Sequence, residues 1–102
     1  MSMLHTVNKS PFERNTLESC IGVAVPGSAI LLMEDGVIGA MANTKHSEMV
    51  KAAMANVKIY VLGPDLKARG LSEGNVVDGI SVVGYGDFVD LTAEHAAVQS
   101  WL

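Results

Sequence analysis

The sequence is short of cysteine and of basic residues, and each shortage excludes a class of protein. The single cysteine, Cys20, cannot form a disulfide within the chain or supply a zinc site built from several thiolates. Seven Lys and Arg against eleven Asp and Glu give a net charge of −4. Affinity for nucleic acid comes largely from basic side chains, so we predict no direct nucleic-acid partner. No pair of histidines has the spacing of metal ligands either, so we predict no metal site.

Long apolar runs are also missing. The most apolar window, residues 20–33, is interrupted by Pro26-Gly27 and is too short to cross a bilayer. The first ten residues lack the apolar core of a secretory signal peptide. The sequence therefore predicts a cytoplasmic protein that does not bind membranes, in which reducing conditions keep Cys20 as a thiol.

Neither glycine-rich signature of nucleotide-binding proteins occurs in the chain. No G-x-G-x-x-G follows an apolar run, and no G-x-x-x-x-G-K-[ST] is present. The pair Gly84 and Gly86 is explained by a tight turn. A G-x-S-x-G nucleophile elbow is absent as well, which argues against a hydrolase of that type. We therefore predict that the protein uses no cofactor.

The length and the apolar content describe a small folded protein with surface to cover. The 102 residues fit one domain, residues 1–102. They are 49% hydrophobic and only 18% charged, which favours a folded chain. Because a protein of this size cannot bury so much apolar surface alone, we expect a subunit interface.

Apolar runs alternate with helical patterns along the whole chain. A run that is apolar on both alternating faces, such as residues 28–33, is typical of a strand covered by helices on both sides. The pattern predicts an α/β fold with three layers, a mainly parallel sheet flanked by helices in a flavodoxin-like or Rossmann-like layout. The expected strands are 4–7, 28–33, 57–63 and 80–83; the expected helices are 10–24, 36–42, 46–55, 64–70 and 87–95. The segment 71–79 should be a loop, and the apolar tail 98–102 should form an edge strand or contact a partner.

The first expected helix contains the cysteine. Ser10 is predicted as its N-cap, with Pro11 at the first helical position and Glu13 completing a capping box. Cys20 then lies on the margin of the apolar stripe, about 15 Å along the axis at ~1.5 Å per residue and close to the helix C-terminus.

The predicted position of Cys20 disfavours reactivity. The C-terminal end of a helix dipole disfavours a thiolate, and no basic residue lies nearby on the helix. From the residues alone, Cys20 is therefore interpreted as a buried packing residue.

The remaining candidate groups have structural interpretations. His5 should be a satisfied core or edge residue, His46 a solvated residue at the start of a helix, and His95 a partner of the negative end of the last helix. The pair Glu34-Asp35 could offer a carboxylate to a substrate, but it also suits the first turn of a helix.

Several blocks of the chain resemble the DsrH/TusB family, and the match runs along essentially the whole sequence. The blocks are MLHTVNKSPFERNTLESC, LLMEDG, VLGPDLKARGL and DFVDLTAEHAAVQSWL. The resemblance implies a DsrE-like fold, which is a parallel α/β sheet. It also implies a subunit of a sulfur-relay heterohexamer, with DsrE-like and DsrF-like (or TusD-like and TusC-like) partners and a DsrC/TusE-like sulfur carrier protein.

The two branches of the family differ in their task. DsrH-type complexes pass sulfur during the oxidation of intracellular sulfur, whereas TusB-type complexes relay persulfide sulfur toward 2-thiolation of the wobble uridine in tRNA. The DsrH branch carries a cysteine at the position of Cys20, so the resemblance favours a DsrH-like subunit. It also implies that the principal sulfur-accepting cysteine is on the DsrE-like partner. Cys20 is then a candidate auxiliary sulfur-accepting thiol, since a thiolate can take a sulfane sulfur as a persulfide and pass it to another thiolate without a cofactor. The alternative is a purely structural role for this chain, with Cys20 as a packing residue.

Overall fold

A computed structural model describes residues 2–102, and its centre is one sheet of five parallel strands. The order across the sheet is β4-β3-β2-β1-β5. The strands are β1 (Met3–Val7), β2 (Ala29–Leu32), β3 (Lys58–Leu62), β4 (Ser81–Val83) and β5 (Ala97–Trp101). The predicted parallel α/β fold is confirmed, and the tail forms an edge strand that pairs with β1 along its whole length.

Helical segments connect the strands. The α-helices are α1 (Thr16–Val23), α2 (Ser47–Ala53), α3 (Gly63–Ala68) and α4 (Tyr85–Glu94). A 3₁₀ helix covers Glu34–Ala40, where the sequence predicted a short helical piece, and a second 3₁₀ turn, Glu73–Asn75, interrupts the expected loop.

The two faces of the sheet are covered unequally. The connections from β1 to β2, β3 and β4 each move one strand further in the same direction across the sheet, whereas the connection from β4 to β5 crosses back to the other edge. Because parallel crossovers are right-handed, this reversal puts α4 on the opposite face from the other helices. The burial agrees, because alternate residues of β2 belong to two different apolar clusters. Ile30 and Leu32 pack with α1, α2 and α3, whereas Ala29 and Leu31 pack with Leu91 of α4.

The first helix begins later than the capping box predicts, and that prediction is wrong. The hydroxyl of Ser10 accepts a hydrogen bond from the amide of Phe12 at 3.1 Å, and the amides of Glu13 and Arg14 both donate to the carbonyl of Ser10. Serine side chains often compete in this way with regular helix by bonding to nearby backbone. Residues 11–13 therefore form a turn, and the helix starts at Thr16.

A hydrogen bond between two aromatic side chains ties β5 to β1. The indole N–H of Trp101 donates to Nδ1 of His5 at 3.0 Å, and His5 is 5% exposed. Burial lowers the pKa of His5 below its ordinary 6.5, because the charged imidazolium is poorly solvated there. The interpretation of His5 as a satisfied core residue is confirmed.

Trp101→Phe should lower the free energy of unfolding by about 1–2 kcal/mol, because it leaves the buried Nδ1 of His5 without its donor. Tyr85→Phe is the control, since it removes an exposed hydroxyl and should change stability by less than about 0.5 kcal/mol. Urea denaturation measures both changes in the free energy of unfolding, and equal effects would contradict a structural role for the indole N–H.

The lowered pKa of His5 also makes the stability of the protein depend on pH. Its contribution to the free energy of unfolding is present above pH 6.5 and is lost as the pH falls below 6.5.

Candidate functional site around Cys20 and the carboxyl edge of the sheet

Cys20 lies inside the protein. Its residue is 0% exposed, and it belongs to the cluster that includes Leu17 of α1 and Ile30 and Leu32 of β2. Burial raises the pKa of the Cys20 thiol from 9.0 to about 12. The thiolate is the form that attacks sulfur, so both access and ionisation disfavour sulfur chemistry in this conformation.

The main reason for the weak acidity differs from the one the sequence suggested. Because α1 starts at Thr16, Cys20 lies about 6 Å along the helix axis rather than about 15 Å. It still lies in the last turn of a helix that ends at Val23, as predicted, where the helix dipole disfavours a thiolate. Loss of hydration in the apolar core is the cause of the raised pKa of Cys20.

An apolar groove runs over the same region of the protein, between α1 and α2. Its volume is about 310 Å³ and none of its lining residues is charged. The lining residues are Ile21, Ala24, Met49, Ala52, Ala53, Asn56 and Val57. Cys20 does not line this groove, so α1 would have to move before a reactant in the groove could reach the thiol.

A polar network lies at the carboxyl edge of the sheet, where α/β proteins usually bind their ligands. Arg69, just after α3, donates from Nε to Asp35 at 3.0 Å and from Nη1 to the carbonyl of Asp65 at 3.3 Å. The carboxylate of Asp65 in turn accepts the amide of Glu34 at 2.6 Å. Glu34 and Asp35 occupy the first turn of the 3₁₀ helix, as the sequence predicted.

The backbone of this network is held in an uncommon shape. Glu34 has a φ of 50°, a left-handed conformation that is unfavourable for a residue other than glycine. The Asp65 carboxylate on its amide and the Asn8 side chain, 3.3 Å from its carboxylate, hold it there. The sequence could suggest the acidic pair but not Asp65 or Arg69, because nothing in the local pattern links residues so far apart.

A smaller cleft lies where the turn after β1 meets α2. Its volume is about 230 Å³, and its walls include Phe12, Arg14, Glu18 and His46. The sequence predicted a solvated His46, but the residue is half-buried, and its ring stacks edge to face with Phe12 at 4.7 Å between centroids. Its Nε2 atom is buried and has no hydrogen-bond partner within residues 2–102.

The other predicted groups are accounted for by local structure. Nδ1 of His95 lies 2.7 Å from the carbonyl of Leu91, which matches the expected pairing with the end of the last helix. Within residues 2–102, no three His, Cys, Asp or Glu side chains are grouped so that they could hold a metal ion. In the same part of the chain, none of the helices has the length and apolar character needed to cross a membrane.

Solved structures with this fold are known. The ychN protein from E. coli superposes with a TM-score of 0.86 at 16% identity, over 99% of each chain. A protein of unknown function, MTH1491 from Methanobacterium thermoautotrophicum, gives a TM-score of 0.75 at 17% identity over 96% of each chain. At these identities the likeness establishes the fold alone.

Curated relatives match at higher identity. Protein TusB from Serratia proteamaculans is 36% identical over 99 residues, and Protein TusB from Klebsiella pneumoniae strain 342 is 37% identical over 99 residues. Each match covers 97% of this chain and 100% of the relative. A family profile described as "DsrH like protein" also matches residues 9–98. The chain therefore belongs to the DsrH/TusB family of sulfur-relay subunits.

Proposed function

We propose that this chain is a docking subunit of a TusB-type sulfur-relay complex, which holds partner subunits in place and does not carry sulfur itself. The full-length match to proteins named TusB supports the relay and the branch. The burial of Cys20 supports the docking role, because a carrier thiol must meet both its donor and its acceptor.

The partners follow from the family. We infer TusC-like and TusD-like subunits in a cytoplasmic heterohexamer, with the sulfur-accepting cysteine on the TusD-like chain. A TusE-like carrier protein then takes the sulfur onward, and the end product is 2-thiolated wobble uridine in tRNA. The chain itself contacts proteins rather than the tRNA, in keeping with its net charge of −4.

Complementation tests the tRNA role. In an Escherichia coli strain that lacks TusB, this chain is expressed with its own TusC-like and TusD-like partners, and 2-thiouridine is measured by mass spectrometry of tRNA nucleosides. The wild-type chain and Cys20→Ala should restore the modification to the same level. A failure of the whole set of subunits to restore it would contradict the tRNA role.

The presence of Cys20 supports a second candidate, a DsrH-type subunit that takes part in the oxidation of intracellular sulfur. In that role the Cys20 thiolate attacks the outer sulfur of a donor persulfide, forms a Cys20 persulfide and releases the donor as a thiolate. A DsrC-like protein then accepts the sulfur by the same exchange. No other oxidant or reductant is needed, because one sulfur–sulfur bond replaces another.

Intact mass after exposure to a persulfide donor separates the two candidates. With the complex intact, we expect the TusD-like or DsrE-like partner to gain one sulfur atom and this chain to gain none. A gain on this chain that vanishes in Cys20→Ala would contradict the docking role and establish Cys20 as a carrier. Alanine is the better substitution here, because the hydroxyl of Cys20→Ser would be buried in an apolar cluster at a cost of about 1–3 kcal/mol.

A further inference from the structure

The outer edge of β5 is a strand edge without the usual protection. Among residues 2–102, β5 pairs with β1 alone, so its other side presents unpaired backbone N–H and C=O groups. Edge strands in soluble proteins are normally short or carry charges, proline or bulges that prevent pairing with another chain. The opposite edge follows this rule, because β4 is only three residues long. The five residues of β5 include neither a charge nor a proline.

Exposed apolar side chains accompany this edge. Val98 shares the α4 face of the sheet with its register partner Leu4, and it is 47% exposed. Leu102, directly after the strand, is 82% exposed. An edge with free hydrogen-bonding groups and exposed apolar side chains is the kind of surface that another strand covers.

The acidic side chains of α4 lie away from this edge. The acidic side chains of α4, Asp87, Asp90 and Glu94, line a groove together with Tyr60 and Val83 of β3 and β4. They therefore lie toward the far edge of the sheet, away from β5. Two chains of net charge −4 could approach each other through β5 without bringing these carboxylates together.

We propose that β5 pairs antiparallel with β5 of a second copy of this chain, about a two-fold axis at Gln99, so that the two sheets become one. In this register Gln99 lies opposite its own counterpart, Val98 opposite Ser100, and Ala97 opposite Trp101. Like charges directly opposite each other would destabilise a pair of identical strands, and β5 has no charged side chain. The two Gln99 side chains are exposed amides. Each Nε2 donates to the carbonyl of Ser100 at 3.4 Å, which leaves its second N–H and the amide oxygen for the other Gln99. The pairing goes beyond the proposed relay role and does not depend on it.

Cysteine cross-linking tests the register in the full-length chain, purified with any subunits that accompany it. Residues directly opposite in an antiparallel pair have Cα atoms about 4.5–5.5 Å apart, within the range that a disulfide spans. Gln99→Cys should therefore give a disulfide-linked dimer of this chain under mild oxidation. Val98→Cys is the matched control. The Cα atoms of the two introduced cysteines would lie about 8 Å apart, so this variant should cross-link roughly tenfold more slowly. Cys20 is buried and should not react.

Each outcome supports or overturns the pairing. Fast dimer formation in Gln99→Cys with slow formation in Val98→Cys supports it. Absence of the dimer, equal rates in the two variants, or a disulfide between Gln99→Cys and a different polypeptide overturns it. Gln99→Lys gives an independent measurement, because the like charges at the axis should remove the contact. We expect the particle mass measured by light scattering to fall by one copy of this chain, while the circular dichroism spectrum stays unchanged. An unchanged particle mass would overturn the proposal.

Discussion

Gly36→Ala should destabilise the protein by roughly 3 kcal/mol or more, a large fraction of the about 5–15 kcal/mol that is typical of the free energy of unfolding of a small domain. A Cβ atom at position 36 would overlap the carbonyl oxygen of Val7 and lie 2.9 Å from its carbonyl carbon. Relief would require movement of the backbone, since no flexible side chain is involved. The end of β1 cannot move freely, because the same carbonyl of Val7 accepts the amide of Met33 at 3.0 Å.

Gly22→Ala is the matched control and should have the opposite sign. Gly22 lies within α1, and a Cβ atom there would meet nothing within 4 Å. Alanine is favoured over glycine inside a helix by about 0.5–1 kcal/mol, so the variant should be more stable than the wild type. Urea denaturation followed by circular dichroism measures both changes. A Gly36→Ala protein as stable as the wild type would show that the 3₁₀ helix is not fixed against β1.

The sequence predicted the fold well because the sheet is built from local patterns. The four residues of β2 are all buried, as expected for a run that is apolar on both faces, and each face packs on different helices. The burial of Cys20 is likewise predicted by its place on the helix stripe, and its 0% exposure confirms it. The role of its thiol as a sulfur acceptor stays a prediction.

The errors arose where a local pattern had two possible hydrogen bonds. Ser10 could cap a helix through the amide of Glu13 or close a turn through the amide of Phe12, and the second occurs. The stacking of Phe12 on His46 could not be predicted either, since it depends on how the turn after β1 meets α2. The ion pair between Asp35 and Arg69, at 3.0 Å, follows from the order of strands in the sheet and not from the spacing of the residues along the chain.

Cys20 in the native protein should react with a thiol reagent such as Ellman's reagent at least about thirtyfold more slowly than in the unfolded chain. A pKa of about 12 in place of 9.0 leaves about a thousandfold less thiolate at any pH below 9, and the greater nucleophilicity of the less acidic thiolate restores about thirtyfold of the rate. The 0% exposure of Cys20 slows the reaction further, because the reagent must wait for the protein to open. Equal rates with and without guanidinium chloride would contradict the burial.

The same burial predicts a loss of stability at alkaline pH. Since the pKa of Cys20 is raised on folding, the native state holds its proton more tightly, and stability falls as the pH rises above 9.0 toward 12. The slope from this one group is at most about 1.4 kcal/mol per pH unit. Cys20→Ala should lack this part of the alkaline loss, which urea denaturation across this pH range would measure. The thiol reaction can also be repeated on the complex with its partner subunits, where it bears on function. Continued protection of Cys20 is the result expected of a docking subunit. A rate that rises to the value of the unfolded chain would mean that the partners expose Cys20 for sulfur transfer.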